Sequence, residues 1–313
     1  MVEKFTEMRE LLLRKADLQT RLNLLPYDGS PEIKEQSGNK YIYIRKRTAG
    51  KLTSTYVDKY SEELYQLLLK NAKEARLLKK ELRRIDKALA ELGYMQGDLP
   101  AEVMLNLDFA RANIKENIYD QAVLEGVATS FPQTEEIIEN GVINGVAAQD
   151  VQKILNLKHA WEFILDPDVI QSSSNYYLLQ HIAGLVNEGL ITNGGRIRGI
   201  PVKIGGSSYI PPLPVEADVK EKIDEIIHSK KSDIDKAIAL CMYSMKTQIF
   251  IDGNKRASVI LANHYMIAHG LGLLVIPEKE VPEFKRLLVR YYEGEDLNTI
   301  SRFLKERCWR KIR

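Results

Sequence analysis

The chain has 313 residues, 44% of them apolar and 28% charged, with 45 Lys and Arg against 43 Asp and Glu. These proportions exclude a disordered tail and a collagen-like chain, and the length fits one large or two modest globular domains. The near-balance of charge hides an asymmetry. Residues 1–94 carry 20 basic against 14 acidic side chains, and the remainder 25 against 29, so an anionic partner is first sought at the front of the chain.

Two cysteines, Cys241 and Cys308, are too few for a disulfide framework and lack any CxxC or Cys/His zinc spacing, which predicts buried, reduced thiols. Residues 1–7 are charged and lack the apolar stretch and cleavage site of a signal peptide, so the cytoplasm is the expected compartment. Residues 257–276 run for the length of a bilayer-spanning helix without a charged side chain. They also hold Asn263, His264, His269, Gly270 and Gly272, which are expensive in hydrocarbon. A buried core helix ending near the glycines, followed by a short extended piece, is expected there, and no membrane partner.

In chain order, Phe5, Met8, Leu11, Leu12, Leu18 and Leu22 recur at helical spacing. Pro26, Asp28, Gly29 and Pro31 end that helix and open what reads as a polar loop. Residues 41–45 and 52–57 are aromatic and β-branched runs flanking Thr48-Ala49-Gly50-Lys51, the pattern of a β-hairpin. Between Lys40 and Lys59 this hairpin holds Arg45, Lys46, Arg47 and Lys51 against the single acid Asp58, interleaved with Tyr41, Tyr43 and Tyr56. That composition suits a nucleic-acid backbone with stacked bases, a protein-docking arm, or a solvated hairpin tip.

From Leu64 to Leu92, leucines, Asn71, Ala75 and Ile85 alternate at steps of four and three, a heptad seam. Its expected partner is the first helix, packed antiparallel, with Asn71 fixing register. Gly93 caps the end, and Gly97-Asp98-Leu99-Pro100 reads as a domain boundary, giving domains 1–95 and 96–313. Beyond it the pattern is helix after helix, broken by the Gly- and Pro-rich residues 192–214, whose segments 196–204 and 208–210 suggest an irregular second hairpin.

The segment that carries chemistry is Gln248-Ile249-Phe250-Ile251-Asp252-Gly253-Asn254-Lys255-Arg256. Gly253 permits a left-handed turn, and a helix starting there aims its first N–H groups and positive dipole end at an anion. Asn254, Lys255 and Arg256 add donors, and Asp252 a hard oxygen ligand for a phosphate-bound Mg²⁺. An ordinary polar turn between helices is the plainer reading of the same residues.

These residues resemble the Fic family, whose signature is a His-Pro-Phe-x-Asp/Glu-Gly-Asn-Gly/Lys-Arg loop between two helices. Phe250, Asp252, Gly253, Asn254, Lys255 and Arg256 match in order and spacing. The resemblance covers roughly residues 100–310. It implies a mainly α fold: a Fic-type helical bundle with a β-hairpin flap, preceded here by an N-terminal antiparallel helical stalk carrying its own β-hairpin. Val202, Lys203, Ile204, Gly205 and Gly206 look like the flap that holds a target protein by strand addition. Glu125 and Gly126 fall where many members carry an autoinhibitory helix.

The resemblance implies transfer of AMP from ATP with Mg²⁺ to a hydroxyl of a target protein, with Asp252 on the metal, Gly253 and Asn254 on the α-phosphate, and Arg256 reaching the outer phosphates. The family's general base is the motif histidine, where this chain has Gln248, a side chain with no nitrogen that accepts a proton near neutral pH. The inhibitory motif usually has a Ser or Thr where Gln121 stands, and its Glu pairs with a second arginine where Val259 stands, so Glu125 is expected to lack a partner of the usual kind. Lys255 is similar to the death-on-curing toxin branch, in which the nucleotide lies reversed and a phosphate is transferred.

Three functions remain open at this point. They are a diverged nucleotide-binding protein with slow or absent transfer, a working transferase whose proton acceptor lies elsewhere, and a non-catalytic interaction module using the front hairpin. The sequence leaves an oligomer open.

Overall fold

The computed structural model describes residues 2–25, 29–36, 38–48, 51–94, 99–141 and 145–312. It divides into two compact units, Met1–Gln96 and Gly97–Arg313. Pro26, Asp28, the turn residues Ala49 and Gly50, and the boundary residues Gly97 and Asp98 lie outside the described residues.

In the first unit, α1 (Val2–Leu24) leads into a three-stranded antiparallel sheet, β1 (Ser30–Gln36), β2 (Asn39–Thr48) and β3 (Lys51–Lys59), followed by the 30-residue α2 (Glu62–Glu91). Ser61 caps α2 by accepting a hydrogen bond from the Leu64 N–H, satisfying one of the orphan donors of its first turn. The predicted seam forms: Leu18 of α1 packs on Leu78, Leu82, Ile85 and Leu89 of α2, with Met8, Leu11, Leu12 and Leu22 beside them. Ion pairs Arg14–Glu81 and Lys15–Asp86 link the two helices, and Arg76 bonds to Ser30 beyond the end of α1. Asn71 is buried on the seam side of α2.

The hairpin of β2 and β3 is as predicted, with Tyr43 opposite Tyr56 and Arg45 opposite Ser54. Ile42 and Ile44 face Leu68 of α2. The expected polar loop after α1 is corrected: from Ser30 the chain is β1, paired along β2 with Pro31 opposite Ile44. Pro31 is tolerated because β1 is an edge strand, where a missing N–H on the open side loses no ladder bond.

The second unit is helical: α3 (Ala101–Ala112), α4 (Ile114–Leu124), α5 (Phe131–Asn140), α6 (Ala148–Ile164), α7 (Pro167–Ile170), α8 (Tyr176–Val186), α9 (Glu216–His228), α10 (Asp233–Thr247), α11 (Asn254–Ala268), α12 (Val281–Tyr292) and α13 (Leu297–Phe303). At its centre α11 packs against α10, α8, α3 and α6 and is buried on nearly every side, as a core helix without a polar face must be. Gly270 and Gly272 end it at positive φ, and a short β4 (Leu273–Leu274) pairs with β5 (Trp309–Arg310). This is the helix and extended piece expected for residues 257–276. No helix among the described residues is long and apolar enough to cross a membrane.

Cys241 and Cys308 are buried free thiols, each pushed up to about 12 by burial. The segment 200–214 corrects the flap expectation. It forms no strand ladder, and its turn is closed by the Ser207 N–H donating to Ile204 O at 3.3 Å. Pro201, Pro211, Pro212 and Pro214 withhold the N–H groups a second hairpin would need.

Candidate functional site

The loop from α10 to α11 is built by an unusual turn. Gln248 ends α10 with left-handed backbone, φ 49° and ψ 61°, one of two non-glycine residues at positive φ among the described residues. Such a conformation is disfavoured for a residue with a Cβ and has to be held by its surroundings. Several bonds hold it. Gln248 Nε2 donates to Met245 O at 2.7 Å, and its Oε1 accepts from Asn254 Nδ2 at 3.2 Å. Arg198 Nε donates to the Gln248 carbonyl at 2.5 Å.

Asn254 spans the loop. Its Oδ1 accepts from the Phe250 N–H at 2.9 Å and its Nδ2 donates to the Phe250 carbonyl at 2.8 Å, while the Phe250 ring is buried beneath. The Asn254 side chain is therefore committed to shaping the loop, and what it leaves for an anion is its backbone N–H.

Gly253 begins α11 at φ 75°, and no side chain caps the helix there. A Cβ at this position would lie 2.7 Å from Asn187 Nδ2, so only glycine fits. Fully buried Asn187, just past the end of α8, donates to the Asp252 carbonyl at 2.9 Å and to Ala183 O at 3.0 Å. The first N–H groups of α11 have no side-chain cap, and the positive end of the helix dipole lies behind them.

Four charges gather at this helix start. Arg256, 1% exposed, donates to Val186 O at 2.6 Å and to Asp252 Oδ2 at 3.0 Å. Glu125, at the end of α4, places its carboxylate 3.3 Å from Lys255 Nζ and 3.6 Å from Arg256 Nε. Half of the Asp252 side chain is exposed, and about a third of the Lys255 side chain. Among the described residues no group of three His, Cys, Asp or Glu is placed to hold a metal, so Asp252 is a single carboxylate.

Residues 172–266 match the Fic/DOC family model, and this span contains the whole loop with its left-handed Gln248 and Gly253. These residues are a Fic-type domain. Residues 5–66 match a second model, Domain of unknown function (DUF6788). Curated relatives are "Protein adenylyltransferase Fic" of Drosophila mojavensis, 26% identical over 199 residues covering 60% of this chain and 38% of that protein, and of Drosophila willistoni, 25% identical over 233 residues covering 70% and 45%. The chain thus spans about two-fifths of the length of these relatives. Among solved structures, Fic-1 (aa134 - 508) from C. elegans superposes with a TM-score of 0.54 at 19% identity, covering 79% of this chain and 74% of that one. A Fic domain containing signaling protein from Bacteroides thetaiotaomicron gives 0.54 at 16%, covering 67% and 86%. At these identities the likeness is one of fold, and the mainly helical architecture of this chain agrees with it.

Glu125, at the end of α4, lies outside the matched span but reaches its loop. With Val259 in place of the second arginine it lacks a partner of the usual kind, and it pairs instead with Lys255 and Arg256 in the first turn of α11. Val259 is buried. Gln121 does what the absent Ser or Thr cannot: its Nε2 donates to Arg256 O at 2.8 Å and its Oε1 accepts from Trp161 Nε1 at 2.8 Å, tying α4 and α6 to α11. Gly126 follows Glu125 at φ 80° and turns the chain away.

His264 and His269 are no substitute bases. His264 is fully buried, with Nε2–H donating to Val169 O at 2.9 Å and Nδ1 accepting from Ser174 Oγ at 2.7 Å, and burial pushes it down to about 4. His269 stacks on Tyr265 at the far end of α11.

The flap residues Val202 to Gly206 are half-buried to exposed and lie beside the Fic loop through Arg198. Arg198, 2% exposed, donates to the carbonyls of Gln248, Ile200, Pro211 and Pro212. Burial pulls its guanidinium below the ordinary arginine value. At the flap's tip, Glu293 accepts from the Ser208 N–H and from both serine hydroxyls of Ser207 and Ser208, bonds that hold its carboxyl below the usual range. Arg198, Asn187 and Glu293 were missed in the sequence because the partners that tie them to the loop and the flap, Gln248, Asp252 and Ser208 respectively, lie 50 or more residues away. The only local signal was Asn187 closing the apolar run of α8.

Proposed function

We propose that this Fic-family chain binds a nucleoside triphosphate with Mg²⁺ at the start of α11 and transfers AMP to a protein hydroxyl slowly or not at all. The observation that carries this reading is Gln248. At the position of the family's base stands an amide that neither accepts a proton near neutral pH nor points freely outward, being bonded to Met245 and Asn254. Loss of a positioned base lowers a rate by about a hundredfold to ten-thousandfold.

The residues present fit the nucleotide in part. The uncapped N–H groups of α11, the half-exposed Asp252 carboxylate and the Lys255 ammonium make a cradle for a metal-bound phosphate group. Bound Mg²⁺ supplies charge neutralisation of the phosphates. In this reading Asp252 holds the metal and Lys255 pairs with a phosphate. Arg256 keeps the loop shaped and positive from beneath, and Gly253 lets the backbone approach closely. Glu125 competes for the same cations and acts as an inhibitory arm. The exposed apolar side chains of Ile200 and Ile210 on the flap and Ile251 on the loop suit the chain of a target protein. Two buried unpaired thiols agree with a reducing compartment such as the cytoplasm.

A second reading, transfer of phosphate with the nucleotide reversed, rests on Lys255 and its exposure. Calorimetry with Mg-ATP tests the binding, and incubation with ATP labelled at either the α- or the γ-phosphate in a cell extract tests which group, if any, moves. No nucleotide binding would overturn both readings.

A further inference from the structure

The sheet of the first unit has two unlike faces. Because side chains alternate along a strand, Ile42 and Ile44 pointing at α2 send Tyr41, Tyr43 and Arg45 to the opposite face. Tyr56 joins them from β3, its ring 5.7 Å from Tyr43 and 6.1 Å from Tyr41. Tyr56 is 51% exposed, an unusual outlay of aromatic surface on a face that no helix of this unit covers.

The charge on this face is positive. Lys34 lies over the Tyr43 ring at 4.5 Å, and more than half of the Arg45 side chain is exposed. The carboxylate on the same face, Glu32, is neutralised in place: it accepts from Ser54 Oγ at 2.6 Å and pairs with Lys34 at 3.0 Å and Arg45 at 3.9 Å. Lys59, opposite Tyr41, is exposed on the same face. An aromatic cluster at the centre of an open antiparallel sheet, bordered by cations, offers rings on which bases stack and charges that follow a phosphodiester backbone. An apolar or acidic protein segment would leave either the cations or the tyrosine rings unused.

We propose that this face of the first unit binds single-stranded nucleic acid. The proposal does not depend on what the Fic loop binds. Stacking on rings of differing tilt requires unpaired bases, so a strand free to splay is preferred over a duplex.

The test is fluorescence anisotropy of the full chain with a labelled pyrimidine-rich DNA strand of about 15 nucleotides, beside a duplex of the same length. The single strand is expected to bind more tightly than the duplex, with an affinity that falls roughly 20- to 50-fold between 50 and 200 mM salt for three to four phosphates contacted. Tyr56→Ala is expected to weaken binding about tenfold, and Tyr56→Phe to retain it, because the ring and not the hydroxyl stacks. Leu77→Ala, on an exposed position of α2, is the control expected to change nothing. Circular dichroism of each variant separates lost contact from lost fold. Absence of binding at low salt, preference for the duplex, or equal binding by a folded Tyr56→Ala variant would overturn the proposal.

Discussion

The Glu125 carboxylate lies 3.3 Å from the Lys255 ammonium, joining the end of α4 to the first turn of α11. It is an ion pair without hydrogen-bond geometry, since Glu125 Oε1 has no hydrogen-bond partner among the described residues. Under the proposed function this contact puts a negative charge beside the cations that a phosphate would need.

Replacing Glu125 with Gln or Ala is therefore expected to tighten Mg-ATP binding by about tenfold, or about 1.4 kcal/mol. Calorimetry on the wild type and the two variants reads this directly. Unchanged or weaker binding would show that Glu125 does not compete with the nucleotide.

Asp252→Asn keeps the size of the side chain and removes the charge. Arg256 stays anchored by Val186 O and Asn187 Oδ1, so the fold is expected to survive. Binding of ATP is expected to lose most of its enhancement by Mg²⁺, because the single carboxylate ligand at the site is gone. Titrations with and without Mg²⁺ check this.

Arg198→Met would leave the carbonyls of Gln248, Ile200, Pro211 and Pro212 without their shared donor. Unpaired buried polar groups make this one of the more damaging changes in the second unit, at about 3 kcal/mol of stability by denaturant unfolding. Arg198→Lys is expected to recover only part of it, because a point ammonium cannot reach carbonyls on both sides of the loop.

His264 gives a pH signature. The folded protein holds it neutral down to about 4, whereas in the unfolded chain it titrates near 6.5. Between those values the unfolded state binds the extra proton, so its contribution lowers stability as pH falls. The loss from this residue is about 2 kcal/mol between pH 7 and pH 5. Comparing unfolding of wild type and His264→Asn at the two pH values isolates it, and the imidazole NMR resonances should hold still until close to pH 4.

Much of the fold could be read along the chain where a local pattern decides it. The seam of α2 is spelled by leucines at heptad spacing, the hairpin of β2 and β3 by paired aromatic runs, and α11 by an apolar stretch interrupted by hydrogen-bonding residues. β1 was hidden because Ser30–Gln36 offers Ile33 alone as an apolar β-branched residue and begins beside a proline; pairing with β2, not propensity, makes it a strand. The flap misled in the opposite sense, since its β-branched residues suggested strands and its prolines refused them. In the site, the loop residues were legible from the motif, but the roles of Asn254 and Arg256 were not. Whether a side chain faces a ligand or its own loop is settled by Asn187, Val186 and Phe250, which meet it only in the folded chain. The partnership of Glu125 with Lys255, formed across 130 residues, likewise appears only in the folded chain.

Gln248 is the residue on which the proposed loss of transfer depends. The most direct measurement is transfer of label from α-phosphate-labelled Mg-ATP to protein by the wild type and by Gln248→His, with nucleotide binding measured on both. The wild type is expected to bind and transfer little, and the histidine variant to bind equally and transfer about a hundredfold or more faster. A wild type that transfers as fast as the histidine variant would contradict the account.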